Sequence, residues 1–374
     1  MVVSIIGWYG TETLGDRAIL DGILTVLNQF EYIDQVYIGS LYPFFTERTL
    51  YEEQETFLDN ASKIKIKIFD VRKQDEAKDR IAESKIILMG GGPLMDLEEM
   101  FLIRNCFRFA KKKGIRTIVF GCGVGPLRYE KYKSVFKEII SLSDAIWLRD
   151  NISLEQLEQI CGDDNNAVVL GDPAIISAEQ YLKKYPDMPR QECKSLVINL
   201  REYPAQEYGN DRVLTVQQCR EMIGYIEKYY DQIYLVPMHT FAIGGDDRLF
   251  LNQIIWKQNY NRVKIVNEPL NLKRLYGMFR SADGCIGMRY HSILLQTVLN
   301  GNNLIIDYTD PKTGKIEGFI DWIDAQEFYK DRRWRLKGTI AGEYLDKLVN
   351  GRKYEYQWSG NKEKYVSYFK KCLE

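Results

Sequence analysis

The stretch Ser281-Ala-Asp-Gly-Cys-Ile-Gly-Met-Arg-Tyr-His-Ser-Ile-Leu-Leu-Gln296 predicts a corner at which a buried strand turns into a helix. The short apolar run at 284–286 is typical of a strand end, and Gly287 interrupts it. The mostly apolar residues that follow Arg289 recur at helical spacing. Arg289 and His291 are therefore expected at a helix N-terminus, where free backbone N–H groups and the helix dipole favour an anion.

A guanidinium and an imidazole at one glycine-led corner favour a binding or catalytic role more than either group does alone. Taken singly, Arg289 would be an ordinary structural arginine and His291 an ordinary buried histidine. The only other histidine, His239, follows another predicted strand at 233–236. The two histidines are therefore the first candidates for acid–base chemistry.

Composition excludes several classes of protein. The 374 residues suggest two domains or one large one, and 51 basic against 52 acidic residues leave no positive field for nucleic acid. Seven scattered cysteines without a C-x-x-C pair predict reduced thiols in the cytoplasm and neither a disulfide framework nor a metal site. The N-terminus lacks the pattern of a signal peptide, and no apolar run approaches the length of a membrane span.

The first half of the chain predicts a parallel sheet whose carboxyl edge is lined by functional loops. Strands are predicted at 2–6, 36–38, 64–69, 86–89, 117–120, 145–148 and 168–170, and most are followed by glycine-rich or charged segments. Asp16 is predicted as the N-cap of a helix over 17–29, and a ligand contact is an equally reasonable interpretation. Asp172 has the same two interpretations, as a turn residue or as a ligand contact.

A polar segment at 179–194 with two prolines predicts a linker between the halves. A second α/β half follows, with strands predicted at 196–200, 233–236, 263–266, 284–286 and 304–306. The tail predicts two amphipathic helices, at 340–349 and 362–373. The predicted domains are therefore 1–178 and 195–330, with a helical tail at 331–374.

The motifs together resemble those of the polysaccharide pyruvyl transferase family. The opening Gly7-Trp-Tyr-Gly-x-x-Thr-x-Gly-Asp-Arg-Ala-Ile-Leu20 is similar to the family's G-[YW]-Y-G-x-x-N-x-G-D-E-A-I-L. Seven further motifs follow in the family's order: Gly90-Gly-Gly-Pro-Leu94, Gly121-x-Gly-x-Gly-Pro126, Arg149-Asp-x-x-Ser153, Asp172-Pro173, the His239 segment, Gly287-x-Arg-x-His291 and Tyr308-x-x-x-Lys312. Thr13 stands where the family usually has Asn, and Arg17 where it has Glu; both departures are compatible with another acceptor sugar or with altered chemistry.

The resemblance implies an α/β, GT-B-like architecture: two Rossmann-like domains facing across a cleft, with the last helix crossing back to the first domain. It implies transfer of pyruvate from phosphoenolpyruvate onto two hydroxyls of a sugar in a polysaccharide precursor, forming a cyclic ketal and releasing phosphate. Phosphoenolpyruvate is then a co-substrate, and no cofactor or metal is expected. Some family members use acceptors on a lipid diphosphate at the inner membrane face, which implies at most peripheral membrane contact.

Roles follow from the chemistry of this donor, which carries both a phosphate and a carboxylate. The expected catalytic residues are His291, Asp16 and His239. The expected donor-binding residues are Arg289, Arg201, Lys312 and Ser292. The expected acceptor-side or cleft-lining residues are Gly10, Gly91, Gly92, Gly123, Gly125, Arg149 and Asp172. The alternatives are a GT-B-type glycosyltransferase that uses a nucleotide sugar, and a non-catalytic carbohydrate-binding protein that kept the fold.

Overall fold

The computed structural model describes residues 1–187, 192–205, 213–241, 245–338, 340, 342–357 and 360–373, without the side chains of 58–60. The chain forms two compact units. Unit 1 contains Met1–Glu12, Asp16–Ser177 and the C-terminal segment that carries the helix Asn361–Lys371. Unit 2 contains Thr13–Gly15 and the chain from Ala178 up to that segment.

Unit 1 is built on a parallel sheet, as the sequence predicts. Its strands are β1 (Val2–Ile6), β2 (Gln35–Ser40), β3 (Lys65–Asp70), β4 (Ile86–Met89), β5 (Pro93–Leu94), β6 (Arg116–Val124), β7 (Ala145–Leu148) and β8 (Ala167–Val169). The main path runs β3-β2-β1-β4-β6-β7-β8, and β5 pairs with β6. The central strands are buried along their whole length, because helices cover both faces of such a sheet.

The helices of unit 1 pack against this sheet. The helices Leu14–Leu27 and Pro173–Lys184 have residues in both units, and the helices within unit 1 are Pro43–Glu52, Gln54–Ala61, Gln74–Ala82, Met100–Lys112, Glu130–Leu142, Asn151–Cys161 and Asn361–Lys371. The last of these returns to the core of unit 1, where the ring of Tyr365 stacks on Phe120 with centroids 4.5 Å apart. The Tyr365 hydroxyl donates to the Gly171 carbonyl at 2.6 Å, so this helix is anchored by both apolar and polar contacts.

Unit 2 holds a second parallel sheet. Its strands are β9 (Ser195–Ile198), β10 (Gln232–Leu235), β11 (Val263–Ile265), β12 (Gly284–Gly287), β13 (Asn303–Ile306) and β14 (Arg333–Trp334), in the order β11-β10-β9-β12-β13-β14. Its helices are Val216–Ile226, Asp247–Ile255, Leu272–Ser281, Tyr290–Leu299, Lys315–Trp322, Gln326–Tyr329 and Gly342–Asn350, with a 3₁₀ turn at Glu227–Tyr229.

Each sheet has a point at which the strand order reverses. In unit 1 the chain builds outward from β1 through β2 to β3 and then returns to place β4 on the other side of β1. In unit 2 it builds from β9 through β10 to β11 and returns to place β12 beside β9. Open α/β sheets bind ligands at the carboxyl ends of the strands at such a switch point. The two switch points therefore locate the candidate sites.

The structure corrects three local predictions. The first helix begins at Leu14, so Asp16 lies in its first turn and the N-cap prediction is wrong. The Leu14 N–H donates to the Met238 carbonyl at 3.0 Å, a tertiary hydrogen bond that local sequence cannot show. Asp16 still carries the charge that the positive end of a helix favours.

The other two corrections concern the linker and the tail. Residues 179–184 of the predicted linker belong to the helix Pro173–Lys184, whose Tyr181 packs edge-on against Tyr276 at 5.4 Å. Part of that linker, 188–191, lies outside the described residues. The predicted helical tail contains β14, whose two residues pair with β13 and are too few to give a periodic pattern.

Candidate active site

The predicted strand–helix corner is present in unit 2, at the switch point between β9 and β12. Arg289 is the N-cap of the helix Tyr290–Leu299, and its N–H donates to Asn199 Oδ1 at 3.0 Å. Ser292 Oγ lies 2.9 Å from the same oxygen and 2.8 Å from the Arg289 carbonyl. Asn199 Nδ2 donates to the Val236 carbonyl at 3.0 Å. Asn199, which follows β9 and is fully buried, therefore ties together three strand ends.

Arg289 is held by a buried carboxylate that the sequence analysis missed. Its Nε lies 2.8 and 3.0 Å from the two Asp247 oxygens, and its Nη2 lies 2.6 Å from Oδ1. Asp247 also accepts the N–H groups of Met238 and His239, at 3.0 and 3.1 Å. One edge of the guanidinium is thus committed to Asp247, which offsets its charge and fixes its position. Anion binding by Arg289 stays a prediction that must use its remaining edge.

The two histidines lie at the same edge of the second sheet. His239 follows β10 and His291 follows β12, and these strands flank β9, so about 10 Å of sheet width separates them. His239 is 5% exposed, and its backbone forms an antiparallel bridge with Thr13. His291 is half-buried, and a Cβ placed on Gly15 would come within 2.1 Å of its Nδ1. A side chain at position 15 would therefore displace the imidazole.

Two further cations lie close to the buried ring of Tyr308. Arg201 Cζ lies 5.9 Å and Lys315 Nζ 5.6 Å from the ring centroid. These residues follow β9 and β13, on either side of β12. Lys312, which the sequence analysis selected, is exposed, and its backbone N–H donates to Asp310 Oδ1 at 2.8 Å. Lys315 was not among the predicted donor-binding residues, and a donor contact by Lys312 stays a prediction.

In unit 1 the glycine-rich loops after β1 and β4 pack directly on each other. A Cβ on Gly92, whose φ is +73°, would lie 2.1 Å from the Trp8 ring. Trp8 Nε1 donates to the Pro93 carbonyl at 3.1 Å, and the Tyr9 hydroxyl donates to the Gly90 carbonyl. Burial, with the nearby charge of Asp16, raises the pKa of Tyr9, so its hydroxyl remains a donor at neutral pH. Close loop packing thus accounts for Gly92.

The remaining glycine candidates sit where side chains would collide or where φ is positive. Gly10 has φ +90° and Gly91 has φ +127°. A Cβ on Gly123 would lie 2.3 Å from Arg149 Cζ, so its absence makes room for that guanidinium. On Gly125, with φ +85°, it would lie 2.1 Å from Gln156 Oε1. All four positions have a structural reason to be glycine, and their contact with a ligand stays a prediction.

Arg149, Asp172 and Asp16 complete the unit 1 candidates. Arg149 is buried and its Nε donates to Asp150 Oδ2 at 2.9 Å. Asp150 caps the helix Asn151–Cys161 by accepting from the Ser153 N–H at 2.7 Å. Asp172 is 2% exposed and accepts the N–H of Ala174 at 3.0 Å. Asp16 is half-buried, with Thr11 Oγ1 3.4 Å from its Oδ2.

Arg17 lies at the centre of a buried ionic cluster. It contacts Glu12 at 3.1 Å, Glu52 at 2.7 Å and Glu53 at 3.2 Å. Burial raises the pKa of Glu12, and the charges of Arg17 and Arg48 partly oppose that rise. An acidic residue at position 17 would face three carboxylates, so the basic residue here matches its surroundings.

Within the described ranges, no helix is long and apolar enough to cross a membrane. The same residues include no group of three or more His, Cys, Asp or Glu side chains that could hold a metal ion.

Fold and site together define an α/β protein of two Rossmann-like units with basic and imidazole groups at a switch point. Solved structures with this fold include UDP-GlcNAc 2-epimerase from Methanocaldococcus jannaschii, with 13% identity, 99% and 100% of the two chains covered and a TM-score of 0.63. The Neisseria meningitidis UDP-GlcNAc 2-epimerase bound to UDP-GlcNAc has 13% identity, 99% coverage of each chain and a TM-score of 0.54. Trehalose-6-phosphate synthase OtsA has 10% identity, 100% and 98% coverage and a TM-score of 0.53. These likenesses assign the fold to the GT-B class.

The family model for polysaccharide pyruvyl transferase matches residues 14–311, which is most of the chain. The chain therefore belongs to the polysaccharide pyruvyl transferase family, and the resemblance found in its motifs is confirmed. Membership makes it a transferase that acts in polysaccharide pyruvylation.

Proposed function

We propose that this protein transfers pyruvate from phosphoenolpyruvate onto two hydroxyls of one sugar, forming a cyclic ketal and releasing phosphate. The observation that carries the proposal is the corner of Arg289 and His291 at the β9/β12 switch point, pinned by Asn199. It combines a guanidinium, an imidazole and a helix N-terminus at the edge where α/β sheets bind ligands. Arg201 follows β9 at the same edge and adds a further positive charge.

The donor explains why so many cations are needed. Phosphoenolpyruvate carries a phosphate and a carboxylate a few bonds apart, and each anionic group is best held by charge-assisted hydrogen bonds. Because Asp247 offsets the charge of Arg289, one arginine is insufficient for both groups. Arg201 and the helix N-terminus supply the remaining positive charge that the phosphate and the carboxylate need.

The reaction requires one protonation and two deprotonations of hydroxyls. A proton added to C3 of the enol converts the methylene to a methyl group and leaves C2 as an oxocarbenium-like centre. One sugar hydroxyl attacks C2 and loses its proton, which balances the one added to C3. The C2–O bond to phosphate breaks, and the second hydroxyl closes the ring and loses its proton, which leaves with the released phosphate. His291 is the proposed acid–base residue, because an imidazole can accept a proton at one ring nitrogen and donate one from the other. Asp16 and His239 are the alternatives for the second proton transfer.

The proposed acceptor is a sugar of a polysaccharide precursor, held by the glycine-rich loops of unit 1. The positive φ angles of Gly10 and Gly91 support this assignment, since loops of this kind allow a ligand to approach the backbone closely. A carrier lipid diphosphate on the acceptor, and work at the inner face of the cell membrane, belong to the same proposal.

Mass spectrometry tests the proposal directly. The protein is incubated with phosphoenolpyruvate and a panel of acceptor sugars, and the expected product is a sugar carrying one pyruvate ketal, with an equal amount of phosphate released. Thermal shift provides a second readout, because a donor at 100 times its Kd stabilises the folded protein by about 2.7 kcal/mol. Stabilisation by nucleotide sugars but not by phosphoenolpyruvate would instead support a glycosyltransferase. Folded protein that forms no ketal with any acceptor and binds no phosphoenolpyruvate would contradict the proposal.

A further inference from the structure

We infer that Gly15 is a positioning residue for His291: because it carries no side chain, the first turn of the helix Leu14–Leu27 forms the surface on which the imidazole is seated. This inference rests on the proposed function for the catalytic role of His291. Gly15 was not among the predicted site residues, and it belongs to unit 2 together with His291.

The backbone at position 15 does not itself require glycine. Gly15 is the second residue of the helix Leu14–Leu27, and its φ lies outside the left-handed region that Gly10 occupies at +90°. Alanine is more favourable than glycine within a helix, because glycine loses more backbone freedom on folding. The reason for glycine at this position must therefore lie in its surroundings.

The space next to Gly15 is filled by His291. The three heavy atoms nearest to a Cβ placed on Gly15 all belong to His291: Nδ1 at 2.1 Å, Cγ at 2.5 Å and Cβ at 2.8 Å. Non-bonded carbon atoms pack at about 3.5–4.0 Å, so an alanine side chain and the imidazole cannot both occupy these positions. One of them must move, and which one moves depends on how firmly each backbone is held.

The backbone just before position 15 is anchored to the segment after β10. Thr13 forms an antiparallel bridge with His239, and the Leu14 N–H donates to the Met238 carbonyl at 3.0 Å. These contacts fix the two residues that precede position 15. The backbone is therefore not free to retreat from the imidazole.

The segment after β10 is in turn tied to the corner that carries His291. The His239 N–H donates to Asp247 Oδ2 at 3.1 Å, and Arg289 Nη2 donates to Asp247 Oδ1 at 2.6 Å. Arg289 precedes His291 by two residues, so the contacts form a closed circuit through both histidines. Both backbones beside the imidazole are thus held, and a Cβ at position 15 can be relieved only by rotation of the ring into another rotamer.

Rotation of the imidazole would take it away from the reacting atoms. An acid–base residue must lie within hydrogen-bond reach, and a misplacement of ~1 Å can reduce the rate by about 10²-fold. We therefore expect Gly15→Ala to lower kcat by about 10²–10⁴-fold in the pyruvyl-transfer assay. KM for phosphoenolpyruvate should change by less than about threefold, because the proposed donor-binding residue Arg289 keeps its partner Asp247.

A second glycine of the same helix provides a matched control. A Cβ on Gly22 would lie 2.0 Å from the Pro173 carbonyl oxygen. Gly22→Ala should therefore lower the unfolding temperature, as a merely structural change does, while kcat per folded molecule stays unchanged. Gly15→Ala should instead lower kcat in protein that thermal unfolding shows to be folded.

NMR reports the position of the imidazole independently of activity. The chain has only two histidines, so protein that is isotope-labelled at histidine gives two sets of ring signals, and the spectrum of His291→Gly assigns them. Gly15→Ala should shift the His291 signals, because the ring moves to new surroundings. Gly22→Ala should leave the His291 signals in place.

The double variant Gly15→Ala/His291→Gly shows whether the two positions act through one contact. His291→Gly removes all three atoms that a Cβ at position 15 would strike. In that background Gly15→Ala should no longer lower the unfolding temperature. The kcat of the double variant should equal that of His291→Gly within about threefold, because residues that act as a unit are not additive.

Gly15→Ala protein with wild-type kcat and unshifted His291 signals would overturn the inference and leave the proposed function intact. An equal loss of kcat from Gly15→Ala in both backgrounds would also overturn it, because the loss would then not depend on His291. If wild-type protein forms no ketal, the proposed function fails, while shifted His291 signals in Gly15→Ala would still support the seat at Gly15.

Discussion

Replacing Asp247 by Asn tests whether the strand–helix corner of Arg289 and His291 depends on its buried ion pair. Asp247 is 3% exposed and accepts five contacts within 3.1 Å: two from backbone N–H groups and three from the Arg289 guanidinium. Asn has nearly the same shape but keeps a single acceptor oxygen. If that oxygen serves the backbone, the new NH₂ group points at the donors of Arg289.

The expected loss of stability follows from these contacts. At least two hydrogen bonds to a charged group are lost, each contributing about 1.5–3 kcal/mol. A guanidinium that is 16% exposed is then left without its counter-ion, and breaking a buried pair in this way costs about 3–5 kcal/mol. The two estimates overlap, so we expect a destabilisation of about 3–5 kcal/mol in unit 2. This corresponds to a fall of about 6–20 °C in the unfolding temperature of a unit of this size.

Differential scanning calorimetry measures the effect, and the neighbouring carboxylate provides the control. Asp246 also pairs with an arginine, Arg248, at 2.6 Å, but both side chains are partly exposed, at 14% and 22%. Asp246→Asn should cost less than Asp247→Asn, because the Asp246 carboxylate is 14% exposed against 2% for Asp247 and because Asn also caps a helix well. Removing both charges in Asp247→Asn with Arg289→Gln should recover part of the loss. Equal shifts for Asp246→Asn and Asp247→Asn would refute the reasoning, because burial would then not decide the strength of the pair.

Three further predictions follow from the same structure. His291→Asn can keep one hydrogen bond but cannot titrate, so kcat in a pyruvyl-transfer assay should fall by about 10²–10⁴-fold with the fold retained; wild-type turnover would remove His291 from catalysis. Arg17→Glu adds a fourth carboxylate to the buried cluster and should destabilise unit 1 by at least about 3–5 kcal/mol, measured by calorimetry; an unchanged unfolding temperature would contradict the ion-pair account. Burial raises the pKa of Cys122 to about 12, so at pH 8 iodoacetamide should modify exposed Cys193 and leave Cys122 intact, as peptide mass spectrometry can show; rapid labelling of Cys122 in folded protein would contradict its burial.

The strand–helix corner of Arg289 and His291 was largely predictable, because its signals are local. A short apolar run, a glycine and then helical spacing predicted where β12 ends and where the helix Tyr290–Leu299 begins. The ends of β4 and β7 were predicted correctly for the same reason: a fully buried parallel strand is a continuous apolar run. The order of the motifs along the chain was enough to indicate the family, which the match over 14–311 confirms.

The partners of those residues were not predictable, because they lie far away in sequence. Arg289 pairs with Asp247, which is 42 residues distant, and its backbone is pinned by Asn199, which is 90 residues distant. The start of the first helix was missed for a related reason. The Leu14 N–H donates to the Met238 carbonyl, and this distant hydrogen bond outweighs the local preference for Asp16 as an N-cap.

The sequence by itself determined most of the strands and helices, the parallel character of both sheets and the presence of an arginine and a histidine at one helix N-terminus. Only the tertiary structure decided which charges act together. Arg289, which follows β12, is paired with Asp247, which lies in the first turn of the helix after β10. Secondary structure arises from periodicity within about ten residues. The electrostatic potential at a site depends instead on charges that folding brings together from distant strand ends.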